Sequence, residues 1–326
     1  MKGIAIFAVI ILHSVQPQNG PEMGWALQIL NQVCRFAVPC FFLMAGFFFM
    51  HAWRRNSDHL ALARSYGGRL MKPFIFWALF YAVIPPFIGG SPHGIGPAIL
   101  GHLANIARYP HSFLLTGFVY HLWFLSSMLQ AAGIVWVSLR LGDLRIALAL
   151  GFVLYCVALL GGSYSQTAFG FHTHFDMKNG PFVSTLFFAL GAWIEERRPN
   201  IPLLAGALLL WIGLIAHLVE GVFLLDKFAR PIINNQYLLG TPLYAVGVMF
   251  VALARPNFAW GVATAIGVYS LGVYAFHPYV IEVLLRLPFG HVFSSEPLLL
   301  SLLVLAIAFA TMSLLGRIRW LRPFVV

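Results

Sequence analysis

Residues 297–315 read PLLLSLLVLAIAFATMSLL, a stretch long enough to matter and without a single charge. Apolar runs of this kind recur near 3–17, 25–50, 73–90, 113–138, 146–162, 182–195, 201–225, 237–254, 266–285 and 297–316. A helix crosses a bilayer with roughly 20 apolar residues, so most of these runs have the length of a membrane span. Only 9% of the residues are charged, against roughly 25% in a soluble domain, which leaves too little polar surface to face water. Strand-length alternation is not evident, and that argues against a barrel. The expectation is an all-α integral membrane protein, a single domain over 1–326 built as a bundle of about ten transmembrane helices.

The basic residues give that bundle a direction. With the N-terminus in the cytoplasm, fourteen of the 20 Lys and Arg fall on the cytoplasmic side: Lys2, the loops 51–72, 139–145 and 196–200, Arg255, and 317–322. Arg108, Lys178, Lys227, Arg230 and Arg286 fall outside, and Arg35 lies within a span. By the positive-inside rule both termini are cytoplasmic, in a multi-pass membrane protein. The net charge of +10 is therefore a topology signal rather than a sign of nucleic-acid binding. The first run is short: Gly3 to Pro17 gives about 21 Å of helix. Either the native chain begins upstream of Met1 or neighbouring helices screen this one. No small-residue cleavage site follows it in QPQNGPEMGW, so a signal peptide is not expected.

Cys34, Cys40 and Cys156 lie in apolar runs, at spacings that suit neither a disulfide framework nor a zinc site. No phosphate-binding G-x-x-x-x-G-K-[ST] motif is present. The outer loops hold His93, His102, His111, His172, His174 and Asp176, a pattern too loose for a metal site, and no metal is expected.

Ionisable groups inside spans are costly and mark sites by default. His13 lies about 16 Å along its helix from Lys2. Arg35, His121, His277, Glu282 and Glu220 all fall in the outer half of their spans, where they can converge on one buried chamber. For Glu220, close to an interface, an ordinary structural role is the better reading. His277 precedes Pro278, which frees a carbonyl one turn back, so satisfying that carbonyl competes with lining the chamber. His121 and Trp123, two positions apart, do not share a helix face, and His121 is the one expected to point inward.

Five segments resemble, in order, the landmarks of the acyltransferase 3 family of membrane proteins. They are K-G-I-A-I…H-S, with Lys2 and His13 separated by ten residues; R-F-A-V-P-C-F-F-L-M-A-G-F from Arg35; R-L-M-K-P-F-I-F-W from Arg69; Y-H-L-W-F-L from Tyr120; and Y-S-L-G-V-Y-A-F-H-P from Tyr269. One departure is Ala45, where the family has serine. The resemblance implies an acyltransferase that moves an acyl group, usually acetyl from acetyl-CoA, onto a hydroxyl of a surface polysaccharide, glycolipid or related acceptor. Acyl-CoA is cytoplasmic, so Lys2, Arg69 and Lys72 are expected to hold its phosphates while the pantetheine arm threads inward. His13 is then the general base, Arg35 stabilises the oxyanion, and His121 completes the catalytic set. Trp123, His277 and Glu282 line the chamber. The alternative is a multi-helix transporter of a glycan or small solute, which consumes no thioester.

Overall fold

The computed structural model describes residues 1–15, 24–84, 95–255 and 261–326. These residues form helices and connecting turns, without a strand among them. In chain order the helices are α1 (Lys2–Ser14), α2 (Trp25–Val33), α3 (Ala37–Trp53), α4 (His59–Val83), α5 (Ile95–Arg108), α6 (Pro110–Thr116), α7 (Trp123–Arg140) and α8 (Leu144–Gly161). Then follow α9 (Pro181–Arg197), α10 (Leu203–Phe228), α11 (Gly240–Ala254), α12 (Gly261–Val268), α13 (Ser270–Leu285), α14 (Gly290–Ser295), α15 (Pro297–Leu315) and α16 (Arg322–Val325).

Every expected span falls at least partly on a helix, but five helical segments are long and apolar enough to cross a membrane by themselves. These are Trp25–Trp53, Tyr120–Arg140, Leu144–Gly161, Leu203–Phe228 and Pro297–Leu315, with a sixth if α12 and α13, bent by 82°, count as one. The remaining spans are shorter, broken or more polar than the apolar runs imply. The stretch 51–72, read as a loop, is helical from His59, because Asp58 caps the amide of Leu60 at 3.1 Å and that of Ala61 at 2.8 Å. The run at 113–138 is interrupted at Gly117, whose φ of +62° suits glycine. Residues 85–90 of the third run lie outside the described residues.

Helix α1 is short yet deeply placed. It packs on α3, α12, α13 and α15 and buries Ala5, Ile6 and Ile10 completely. Its neighbours, rather than its own length, keep it from water. Helix α9 lies between α3, α7 and α8. At the periphery, α10 and α15 expose Trp211, Ile212, Ile215 and Leu302, an apolar rim that only hydrocarbon accommodates.

Between helices in lipid, close backbone approach takes the place of the hydrophobic drive. A Cβ on Gly46 of α3 would stand 1.9 Å from the Phe188 carbonyl oxygen, and one on Gly191 of α9 would stand 2.0 Å from that of Leu43. Each helix thus gives the other its closest contact. Gly46→Ala should force α3 and α9 apart and destabilise the protein by about 1–3 kcal/mol, as overpacking does. Gly68→Ala, where nothing lies within 4 Å, should be neutral. Thermal unfolding of the two variants in detergent makes the comparison.

Candidate active site

The site begins with a proline. Pro278 lies inside α13 and has no N–H to give the Tyr274 carbonyl one turn back. His277 replaces that donor: its Nδ1–H reaches the Tyr274 oxygen at 2.6 Å. The next carbonyl, Ala275, accepts from the Tyr81 hydroxyl at 2.6 Å and from His121 Nε2 at 3.1 Å. The Tyr274 hydroxyl closes the circuit by donating to the His121 carbonyl. These bonds fix the tautomers. His277 keeps a bare Nε2 and His121 a bare Nδ1, both buried and without a hydrogen-bond partner among the described residues.

His13 sits in the last turn of α1, half-buried, with its ring 5.0 Å from that of His277, centre to centre. On the other side the Tyr120 hydroxyl stands 3.5 Å from His13 Nδ1. The open C-terminal carbonyls of α1 need donors, and Asn31 supplies one to Val15 at 3.0 Å. Arg35 occupies the 3₁₀ turn Cys34–Phe36 that joins α2 to α3. Its Nη2 donates to the Ile233 carbonyl at 2.9 Å, while its buried Nε has no partner among the described residues.

These groups face one polar cavity of about 980 Å³, at the upper end of the size of small-molecule sites. His13, Asn31, Arg35, Tyr120 and Trp123 line it together with Lys178, Arg230, Tyr237, Glu282 and Arg286. Glu282 is paired with Arg286 at 2.6 Å, and Lys178 with Asp176. Arg230 is held by neutral acceptors: Asn235 Oδ1 at 2.9 Å, Ser165 Oγ at 3.3 Å and the Asn234 carbonyl at 3.3 Å. Burial pushes its pKa down from the usual guanidinium value, as expected of a cation taken partly out of water without a counter-charge.

A second, narrower cleft of about 180 Å³ runs along the other stretch of α1. Lys2, Val9, Phe41, Ala45, Leu70 and Met128 are among its walls, and it is almost wholly apolar. Val38 lines both this cleft and the polar cavity. The chain therefore has a cationic head, an apolar slot and a polar chamber in sequence along α1.

Of the residues expected from the sequence, His13, Arg35, Trp123 and Glu282 meet in the cavity. His277 stands against His13, and His121 lies a further ring behind it, 6.0 Å from His277. Trp123, and not His121, is the member of that pair that lines the cavity. His121 is nevertheless buried, in the carbonyl circuit of α13. Lys2 lines the apolar cleft. Arg69 and Lys72 are exposed, flanking the cleft residue Leu70, with the Arg69 guanidinium 5.9 Å from the Tyr66 ring. Glu220 caps α11, accepting from the Leu239 and Gly240 amides at 2.7 and 3.0 Å and from the Tyr164 hydroxyl. Among the described residues no group of three or more His, Cys, Asp or Glu is arranged to hold a metal ion; His93 and the His102 side chain lie outside them.

Sequence reasoning missed Tyr120, Asn31, Lys178 and Arg230. Asn31 carried the available signal, a polar residue within an apolar run. Lys178 and Arg230 were read as loop charges, and only the fold brings them over the cavity. It also passed over His217, whose two ring nitrogens lie 3.0 Å from Gln32 Oε1 and 3.0 Å from Thr241 Oγ1. With both nitrogens engaged, His217 ties α2, α10 and α11 together.

A multi-pass helical membrane protein with a half-buried histidine between an apolar slot and a polar chamber is the class these features define. The chain belongs to the acyltransferase 3 family, whose model, described as an acyltransferase domain, matches residues 1–317. It is similar to a serine/alanine racemase of Enterococcus gallinarum, 24% identical over 297 residues that cover 85% of this chain and 40% of that protein. It is also similar to an amino-acid racemase of Enterococcus faecalis, 26% identical over 211 residues, covering 60% of this chain and 27% of that one. The chain thus spans less than half the length of these curated relatives. No solved structure matches it.

The proline and the histidine of α13 should be energetically coupled. His277→Ala leaves the Tyr274 carbonyl without a donor and should cost about 1–3 kcal/mol. In a Pro278→Ala background the restored amide serves that carbonyl, and most of the cost should disappear. A double-mutant cycle on thermal unfolding in detergent measures the coupling.

Proposed function

We propose that the protein transfers an acyl group, acetyl from acetyl-CoA, from the cytoplasmic face to a hydroxyl of an extracytoplasmic or lipid-linked carbohydrate. The observation that carries this reading is that two cavities share Val38 as a wall residue: one polar and holding His13 and Arg35, the other apolar and lined by Lys2. With the Lys2 end inward, as the basic loops imply, the CoA head stays on Lys2 and the exposed Arg69 and Lys72. The thin arm follows the slot, and the thioester arrives beside His13 while the alcohol enters from the polar side.

A sugar hydroxyl becomes a competent nucleophile when a base takes its proton. His13 Nδ1, faced by the Tyr120 hydroxyl at 3.5 Å, is the nitrogen assigned to that task. The hydroxyl oxygen bonds to the thioester carbonyl carbon as its proton passes to Nδ1. The carbonyl oxygen gathers charge beside Arg35, a preorganised cation in low dielectric. The C–S bond then breaks, the proton on His13 passes to the departing sulfur, and an ester and free CoA result. The His277 ring, packed 5.0 Å from that of His13 centre to centre, limits how the base can turn.

One observation favours a second reading. Both curated relatives are named for amino-acid racemisation and not for acyl transfer, so the matched region is found in proteins with another stated task. Passage of a small solute would use the same cavities without consuming a thioester.

His13→Ala should lower transfer from labelled acetyl-CoA in membranes by about 10²–10⁴-fold, the contribution of a positioned general base, with insertion and yield unchanged. Loss of a fixed acyl increment from surface polysaccharide, read by mass spectrometry, is the matching result in cells lacking the protein. Solute uptake without thioester consumption would favour the second reading. Ala45→Phe should obstruct the slot and raise the KM for acyl-CoA while leaving acceptor binding intact.

A further inference from the structure

The charges over the polar cavity do not balance. Among the described residues four cations line it, Arg35, Lys178, Arg230 and Arg286, against one carboxylate, Glu282. Glu282 is taken by Arg286 and Asp176 by Lys178. Among the described residues, Arg35 and Arg230 have no carboxylate within salt-bridge distance.

The two are also placed together. Arg35 donates to the carbonyl of Ile233 and Arg230 to that of Asn234, successive residues of one 3₁₀ turn. That turn presents two guanidinium groups to one space. Arg230 has five N–H donors, and its three recorded bonds, all to neutral oxygens, engage one hydrogen on each nitrogen. One hydrogen on Nη1 and one on Nη2 remain, donors with which a guanidinium can bind an oxyanion. The negative charge that Arg35 meets during acyl transfer exists only fleetingly. It does nothing for the resting surplus, which calls for an anion that stays throughout binding.

We propose that the acceptor is an acidic carbohydrate, whose carboxylate or phosphate is held by Arg230 while its hydroxyl is presented to His13. This inference rests on the acyl-transfer reading for the word acceptor, but the binding it asserts stands apart from any chemistry. The donor is an unsuitable owner of the charge, because its path along the apolar slot is lined by Lys2 and lies across Val38 from Arg230.

The full chain in neutral detergent, without acyl-CoA, provides the test. Its melting midpoint and affinity are measured with glucuronate, glucose 6-phosphate and glucose at matched ionic strength. The two acidic sugars should bind and stabilise, and glucose should bind at least about 10-fold more weakly, the worth of one charge-assisted contact. Glucuronate and glucose 6-phosphate distinguish carboxylate from phosphate as the preferred group. Arg230→Gln should remove the preference. Asn235→Asp should remove it too while sparing the fold, because it sets a carboxylate of nearly the same shape where Arg230 Nε already bonds. Equal binding of glucose and glucuronate, or undiminished preference in both variants, overturns the proposal. So does direct binding of unacylated CoA that Arg230→Gln abolishes, since the cation would then belong to the donor. Acidic-sugar binding without acylation from any thioester would overturn the transfer reading and leave the anion site standing. Acylation of glucose and glucuronate with equal kcat/KM would do the reverse.

Discussion

A backbone carbonyl with no donor has nowhere to turn inside a membrane, and this site is assembled where helices create such carbonyls. Unsatisfied groups in hydrocarbon cost several kcal/mol each, so each interruption must be closed by a side chain in reach. Pro278 opens the Tyr274 carbonyl, which brings the His277 ring into place beside His13. The neighbouring Ala275 carbonyl fixes Tyr81 and His121. The end of α1 holds Asn31, and the 3₁₀ turn at Ile232–Asn234 holds Arg35 and Arg230. The residues suited to chemistry are anchored by the same bonds that repair the backbone.

That economy explains why some intramembrane polar residues are structural and others are not. His217 has both nitrogens bonded, so nothing remains with which to touch a substrate. Glu220 spends its oxygens on the N-terminus of α11. His121 is bonded at one nitrogen and walled in at the other. His13 is different: it is half-buried, its partner at 3.5 Å is at the limit of a hydrogen bond, and it faces a cavity. Counting what each side chain has left over is a sharper criterion than depth in the membrane.

Depth was nevertheless what the sequence offered, and it carried far. Apolar runs, sparse charge and one-sided basic loops identify a helical membrane protein, and an imidazole and a guanidinium within such runs mark His13 and Arg35. Proline next to His277 even foretells the carbonyl it serves. Helix boundaries were less legible. A cap at Asp58 extends α4 into a stretch that composition reads as loop, and the 82° bend between α12 and α13 depends on packing that no periodicity encodes. The convergence of Lys178 and Arg230 over the cavity was hidden for a related reason. They come from separate loops, and nothing local to either says that both line the same cavity.

The imbalance of charge follows from that convergence. A bundle can offset a cation by setting a carboxylate against it, and this one does so for the exposed Arg286 and for Lys178. It could do the same for Arg230 by a single change, at Asn235, whose oxygen already accepts from the guanidinium and whose buried amide nitrogen has no partner among the described residues. An aspartate there would satisfy the arginine and lose no hydrogen bond. Keeping a neutral acceptor at that position leaves the guanidinium held but not neutralised, the condition in which it can still bind an anion from outside. A site that only needed to be stable would have little reason to stop at asparagine.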